Sequence, residues 1–203
     1  MGRVGILLSG RGSNLEAIAD HIDQGQLTAE ITIVIGNVHD APGLEKASRR
    51  GIDTVCLASK GLTREEYDQR LVDLLKEKHV ELVCLAGFTR LLTPGFVRSF
   101  PYRILNIHPS LLPAFPGLHA QRKALEYGVK YSGCTVHFVD EGLDSGPIIL
   151  QAVVPVLDDD SEELLSSRIL AQEHKIYSRA IQLVLDDQTV IDGRRVRIKS
   201  AGR

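Results

Sequence analysis

The residue types best suited to chemistry fall in three separated segments. The first is Arg103 to Gly117, RILNIHPSLLPAFPG, which reads as a strand running into a proline-stiffened loop. Strand side chains alternate, so Asn106 and His108 point the same way, at the carboxyl end of that strand. An asparagine amide can donate to a developing oxyanion, and a histidine can donate as imidazolium and exchange a proton near neutral pH. The second segment is Val139 to Ile148, VDEGLDSGPI, an acidic glycine-rich connection that contains Asp144. A carboxylate there, brought beside His108, would raise the histidine pKa and orient the ring. The plainer alternatives are a polar strand end and a solvated turn aspartate.

The third segment is Leu7 to Ile18, LLSGRGSNLEAI. It opens like a dinucleotide-binding loop, but Leu15 stands where a third glycine belongs, and Gly36-Asn37 rather than an acid ends the second strand. Helix-start amides and the helix dipole favour an anion, so Gly12, Ser13 and Asn14 suit a single phosphate better than a pyrophosphate. The competing reading is a tight turn with a Ser13/Glu16 capping box. Glu173 falls on the apolar stripe Leu165, Ile169, Ile176, Ala180, Val184 of its helix, where a charge needs a partner: a ligand group, or a buried arginine. Leu85 to Phe96 places Phe88, Leu91 and Leu92 beside Arg90, either to wall a pocket for a flat heterocycle or to pack under a short helix. Arg64 is an exposed cation or the partner of a carboxylate. His137 reads as a strand residue behind the site, and Arg168 and His174 as helix-surface residues.

These groups need a scaffold, and the hydrophobic pattern supplies one. Strands are expected at Arg3 to Leu8, Ile31 to Ile35, Thr54 to Leu57, Leu82 to Ala86 and Ile104 to Ile107. Helices are expected at Ser13 to Gln24, as a short helix that follows a loop through Asn37, Pro42 and Gly43 and ends near Gly51, and from a Thr63/Glu66 capping box to about Lys78. Such alternation implies a parallel sheet, with ligands at the carboxyl ends of its strands. The pattern then changes: Cys134 to Val139 and Ile148 to Val156 need a hairpin, Asp160 and Glu163 cap a helix to about Leu185, and 189–199 reads as a second hairpin around Asp192-Gly193. The class is α/β, doubly wound and mostly parallel (Rossmann-like), with an antiparallel C-terminal extension, and 1–203 is expected to be a single domain.

Composition narrows the function class. The chain has 203 residues, 43% hydrophobic and 25% charged, with a net charge of -2. This gives no bulk attraction to nucleic acid or to a membrane surface. Aromatics are 5% and tryptophan is absent, against a base-stacking platform. No run approaches a membrane span and no signal peptide is evident. Cys56, Cys84 and Cys134 lie in apolar runs without a C-x-x-C pair, as buried free thiols of a cytoplasmic protein would. No metal-ligand spacing, nucleophile elbow or Walker lysine is present.

Taken together, Ser9-Gly10-Arg11-Gly12-Ser13-Asn14-Leu15, Ala86-Gly87-Phe88-Thr89-Arg90, Leu105 to Pro113 with Pro116-Gly117, Val136-His137-Phe138-Val139, Leu143-Asp144 with Gly146-Pro147, and Gln172-Glu173-His174 resemble the glycinamide ribonucleotide formyltransferase family of purine biosynthesis. The resemblance runs over nearly the whole chain. It implies Asn106, His108 and Asp144 as the catalytic set. It implies Gly12, Ser13, Asn14 and Glu173 as contacts to glycinamide ribonucleotide. Arg64, Thr89, Arg90, Leu91, Leu92, Asn106 and Asp140 would bind 10-formyltetrahydrofolate, a co-substrate, with no metal. The partners are then small molecules, and oligomeric state is left open. A formyltetrahydrofolate hydrolase would share the catalytic set, but the catalytic segment begins at Met1 without the preceding regulatory domain expected of that branch. A transfer-RNA or sugar-nucleotide formyltransferase would need another domain and a loop other than Ala114-Phe115-Pro116-Gly117. The non-enzyme alternative is a module that binds a phosphorylated ligand.

Overall fold

The computed structural model describes residues 1–199, so residues 200–203 of the expected domain lie outside the described residues. The chain divides into two compact units, Met1–Asn106 and Ile107–Arg203.

The first unit alternates strand and helix. In order these are β1 (Gly2–Leu8), α1 (Ser13–Asp23), β2 (Ala29–Gly36), α2 (Pro42–Arg49), β3 (Thr54–Cys56), α3 (Arg64–Glu77), β4 (Leu82–Leu85), α4 (Pro94–Ser99) and β5 (Ile104–His108), whose last two residues open the second unit. The strands pair in parallel in the order β3-β2-β1-β4-β5. Central parallel strands are covered on both faces and so read as unbroken apolar runs. Val4 to Leu8 and Leu82 to Leu85 are accordingly all buried. Strand β3 is short and lies at the edge of this set, so Cys56 is exposed rather than buried; Cys84 and Cys134 are the buried thiols.

The capping chemistry departs from expectation at two helices. Gly12, in the left-handed region at φ 72°, takes the N-cap position of α1 without a side-chain cap. The Ser13/Glu16 box of the competing reading does not form, because Ser13 is already helical and the Glu16 carboxylate accepts from Lys46 of α2 at 2.6 Å. At α3 the Thr63/Glu66 capping box is present as read.

The second unit holds α5 (Ala120–Tyr127), β6 (Tyr131–Phe138), β7 (Ile148–Pro155), α6 (Glu162–Leu185), β8 (Thr189–Asp192) and β9 (Arg195–Ile198). Strands β6 and β7 are antiparallel, with a register shift at Val136/His137, and β8 and β9 form the expected C-terminal hairpin. Helix α6 lies against β6 and β7 and buries Leu165, Ile169, Tyr177, Ala180, Ile181 and Val184. Ser161, not Asp160, caps it, by accepting from the Leu164 N–H at 3.3 Å. Asp160 instead accepts from the Leu157 N–H and pairs with both terminal nitrogens of Arg168, at 2.6 and 2.8 Å. Arg168 is therefore a clamp at the helix start, not a plain surface residue. Helix α5, unpredicted from the sequence, begins at His119 and ends at Gly128, both in the left-handed region.

Candidate active site

In the first unit, the sharp passage from β1 into α1 depends on Gly12. A Cβ there would come within 2.7 Å of Gly43 Cα, on top of the left-handed backbone. The Gly43 N–H donates to the Gly10 carbonyl at 3.1 Å, so the start of α2 closes the far side of the loop. The amides of Ser13 and Asn14 thus open a helix whose cap carries no side chain, an arrangement that suits an anion.

A second loop of this unit follows β4. The Ser9 N–H donates to the Gly87 carbonyl at 3.1 Å, and the Thr89 N–H and hydroxyl reach Ser9 Oγ at 2.9 and 3.2 Å. Arg64 donates to the Leu91 carbonyl at 3.0 Å, pairing with backbone rather than a carboxylate. Arg90 lies over the Tyr67 ring, 4.4 Å from its centroid, and donates to Ser59 Oγ at 2.9 Å. Burial pushes the Tyr67 phenol up to about 12 while the Arg90 charge opposes the shift, so the ring is a neutral platform. Leu91 is exposed, Leu92 and Phe88 are half-buried, and Leu92 is followed by Thr93, whose N–H donates to buried Asp68 at 2.6 Å. Thr89, Arg90, Leu91 and Leu92 thus lie in one loop, tied to Arg64 of α3 through the Leu91 carbonyl. Tyr67 and Ser59 escaped the sequence reading; a tyrosine on a helical stripe looks like core packing and carries no signal of its own.

In the second unit, the structure brings His108 and Asp144 together. His108 Nδ1 lies 3.4 Å from Asp144 Oδ2, with both side chains nearly buried. His108 Nε2 donates to the Phe115 carbonyl at 2.9 Å. One ring nitrogen thus faces a backbone carbonyl and the other a carboxylate. Gly117 N–H donates to Asp144 Oδ2 at 2.8 Å, holding the carboxylate in place. His137 Nε2 stands 3.8 Å from Asp144 Oδ1, and its Nδ1 donates to the Phe138 carbonyl at 2.9 Å. Burial holds His137 below the usual histidine value against the opposing pull of the Phe138 carbonyl and Asp144. The expected strand residue thus lines the carboxylate directly.

The loop between His108 and Gly117 is built around a node that sequence reasoning missed. Thr135, fully buried on β6, donates to the Ser110 carbonyl at 2.7 Å and accepts from the Leu112 N–H at 3.1 Å and from Gln151 Nε2 at 3.0 Å. Gln151 is the register partner of Thr135 on β7 and also donates to the Leu112 carbonyl. A threonine followed two residues later by a histidine on one strand face was the available signal.

Asp140 closes the β6–β7 loop from within, accepting from the Gly142 N–H at 3.1 Å and the Ser145 hydroxyl at 2.6 Å. Glu173 is buried on the stripe of α6. Its charge, together with burial as the larger cause, pushes the Cys134 thiol up to about 12. Ile176 is only half-buried, and Tyr177 takes its place on the stripe. Asn106 is half-buried on β5, two residues before His108.

A sequence profile of the formyl transferase family matches residues 2–181. The chain belongs to this family. The chain is 46% identical over 182 residues to phosphoribosylglycinamide formyltransferase of Escherichia coli (strain K12), covering 89% of this chain and 86% of that protein. It is 51% identical over 185 residues to the trifunctional purine biosynthetic protein adenosine-3 of Drosophila pseudoobscura pseudoobscura, where it spans 90% of its own length but 14% of that protein. Among solved structures, glycinamide ribonucleotide transformylase 1 from Symbiobacterium toebii superposes with a TM-score of 0.97 at 53% identity, covering 98% of this chain and 95% of the other. A formyltetrahydrofolate deformylase from Pseudomonas syringae superposes with a TM-score of 0.90 at 26% identity, covering 98% of this chain and 66% of the other. No helix among the described residues is long and apolar enough to cross a membrane.

Proposed function

We propose that this chain transfers the formyl group of 10-formyltetrahydrofolate to the primary amine of 5-phosphoribosylglycinamide, a step of purine biosynthesis. The observation that carries the reading is the His108 ring held between the Phe115 carbonyl and Asp144, in a chain 46% identical to a protein of that name.

The chemistry follows from these groups. The neutral amine attacks the formyl carbon, a C–N bond forms, and the carbonyl oxygen becomes an oxyanion. Alternation along β5 turns Asn106 to the same side as His108, so an amide N–H and an imidazolium N–H serve the same oxygen. The Nδ1–Oδ2 separation of 3.4 Å exceeds that of a tight charge-assisted bond, about 2.7–2.9 Å, so an oxyanion formed on the Nδ1 side of the ring can share that donor with Asp144. Each such donor contributes ~3 kcal/mol. Asp144 sustains the imidazolium and orders a water that carries the proton from the amine to the folate nitrogen as the original C–N bond breaks. The Gly12 loop, with Ser13 and Asn14, takes the 5′-phosphate, Glu173 contacts the ribonucleotide, and Arg64 with Thr89 to Leu92, Asn106 and Asp140 takes the folate. No metal takes part in this scheme.

The second reading is a formyltetrahydrofolate hydrolase, favoured by the likeness to the deformylase fold. An absorbance assay of formylated folate with and without phosphoribosylglycinamide separates the two. The transferase loses its folate signal only when the amine is present; loss without the amine establishes the hydrolase instead.

A further inference from the structure

Asp144 must be held in a backbone conformation that an L-residue adopts at a cost. Its φ is 48°, in the left-handed region, and Glu141, Gly142 and Leu143 before it are exposed. A left-handed residue persists only where its surroundings fix it. Part of that fixing is internal: Asp140 accepts from Gly142 and Ser145, and the Phe138 N–H donates to the Pro147 carbonyl at 2.9 Å. A Cβ on Gly146 would overlap the Phe138 carbonyl oxygen, so the arm leaving the loop runs flush against β6.

Beyond these and the Gly117 N–H on the carboxylate, a further brace comes from far along the chain. Arg194 Nη2 donates to the Ser145 carbonyl at 2.8 Å. The next residue, Arg195, pairs with Ile148 in a parallel bridge between β9 and β7. The left-handed Gly193, at φ 58°, turns the β8–β9 hairpin so that these two consecutive arginines meet the loop's outgoing arm three residues apart. Both lie beyond residue 181, where the family match ends.

We infer that Arg194 is a positioning residue for Asp144. Its guanidinium gives a charged donor to the Ser145 carbonyl, which restricts rotation about the residues leading back to the Asp144 Cα. Arg194 acts through the loop alone and touches neither His108 nor a reacting atom. The kinetic consequence rests on the proposed transferase reaction; the structural consequence does not.

The test uses Arg194→Ala in the full chain, read in two ways. Hydrogen exchange at the Asp144, Ser145 and Gly146 amides is expected to quicken about five-fold or more, while Tm moves by about a degree or less, as for an exposed contact. The kcat of amine-dependent formyl transfer is expected to fall about ten-fold with KM for phosphoribosylglycinamide unchanged, and Arg194→Lys to recover most of it. In an Asp144→Asn background, Arg194→Ala should cost nothing further, because the brace then positions a group no longer able to act. Unchanged exchange overturns the inference, as do losses that multiply in the double variant. Should the unaltered chain show no amine-dependent transfer, the functional reading fails, and the exchange measurement alone decides the brace.

Discussion

The Gly117 backbone N–H donates to Asp144 Oδ2 at 2.8 Å, so the carboxylate that faces His108 is anchored by the same loop that starts at His108. That loop also returns the Phe115 carbonyl to His108 Nε2. The imidazole and its carboxylate are therefore positioned by one stretch of nine residues after β5, and errors in that stretch reach both groups at once.

Removing charge while keeping shape tests the pair. In Asp144→Asn the amide oxygen still accepts from Gly117, and asparagine tolerates the left-handed backbone, so the fold is expected to survive with a similar Tm. The variant loses the negative charge that faces His108 Nδ1. A kcat reduced about 10²-fold or more is expected, the usual scale for losing an acid–base group. Steady-state kinetics with a kcat within a few-fold of the unaltered chain would show that Asp144 only shapes the loop.

Thr135→Val keeps the volume and removes the hydroxyl that serves three partners at once. The Leu112 N–H and the Ser110 carbonyl are then buried without it, at a cost of about 1–3 kcal/mol. For a chain of this length that lowers Tm by about 2–10 °C, measured by calorimetry. Activity is expected to fall with it, because Phe115 loses its fixed place, whereas Thr135→Ser should hold both. A Thr135→Val protein with unaltered Tm and kcat refutes the node.

Gly12→Ala places a Cβ 2.7 Å from Gly43 Cα in a left-handed conformation, against backbone that cannot swing aside. The loop must open. The expected result is a KM for the phosphorylated substrate raised about ten-fold or more, with KM for the folate little changed, since the folate is assigned to Arg64 and the 89–92 loop. Equal increases for both substrates would remove the phosphate from this loop.

Much of this was legible from the chain, and the gaps have physical causes. Parallel strands such as β1 and β4 announce themselves as buried apolar runs, and the hairpins as closely spaced strands. Asn106, His108 and Asp144 stood out because polar residues ended or joined such runs. Cap identity was less legible: Glu16 had a choice between a cap and Lys46, and Asp160 between a cap and Arg168, and each took the cation supplied by another element or turn. Thr135, Tyr67 and Arg194 were silent because their partners, backbone groups and a side-chain amide for Thr135, a guanidinium for Tyr67 and a backbone carbonyl for Arg194, are distant in sequence. Hydropathy periodicity carries no information about such contacts.

His137 sets a pH dependence of stability whose sign follows from its burial. In the folded chain its pKa lies below the ordinary 6.5, chiefly through desolvation, so the folded state refuses a proton that the unfolded chain accepts. The unfolded state then binds more protons as pH falls below about 6.5, and stability declines with falling pH across the window between that value and the lower folded one. Above the window the contribution is fully present. His137→Gln, which keeps a side-chain donor for the Phe138 carbonyl but does not titrate, is expected to flatten this part of the profile. Urea unfolding at intervals from pH 7 to 5 measures it directly. An identical slope in both proteins would mean that other carboxylates and histidines set the acid limb, and that His137 enters the folded core with its proton.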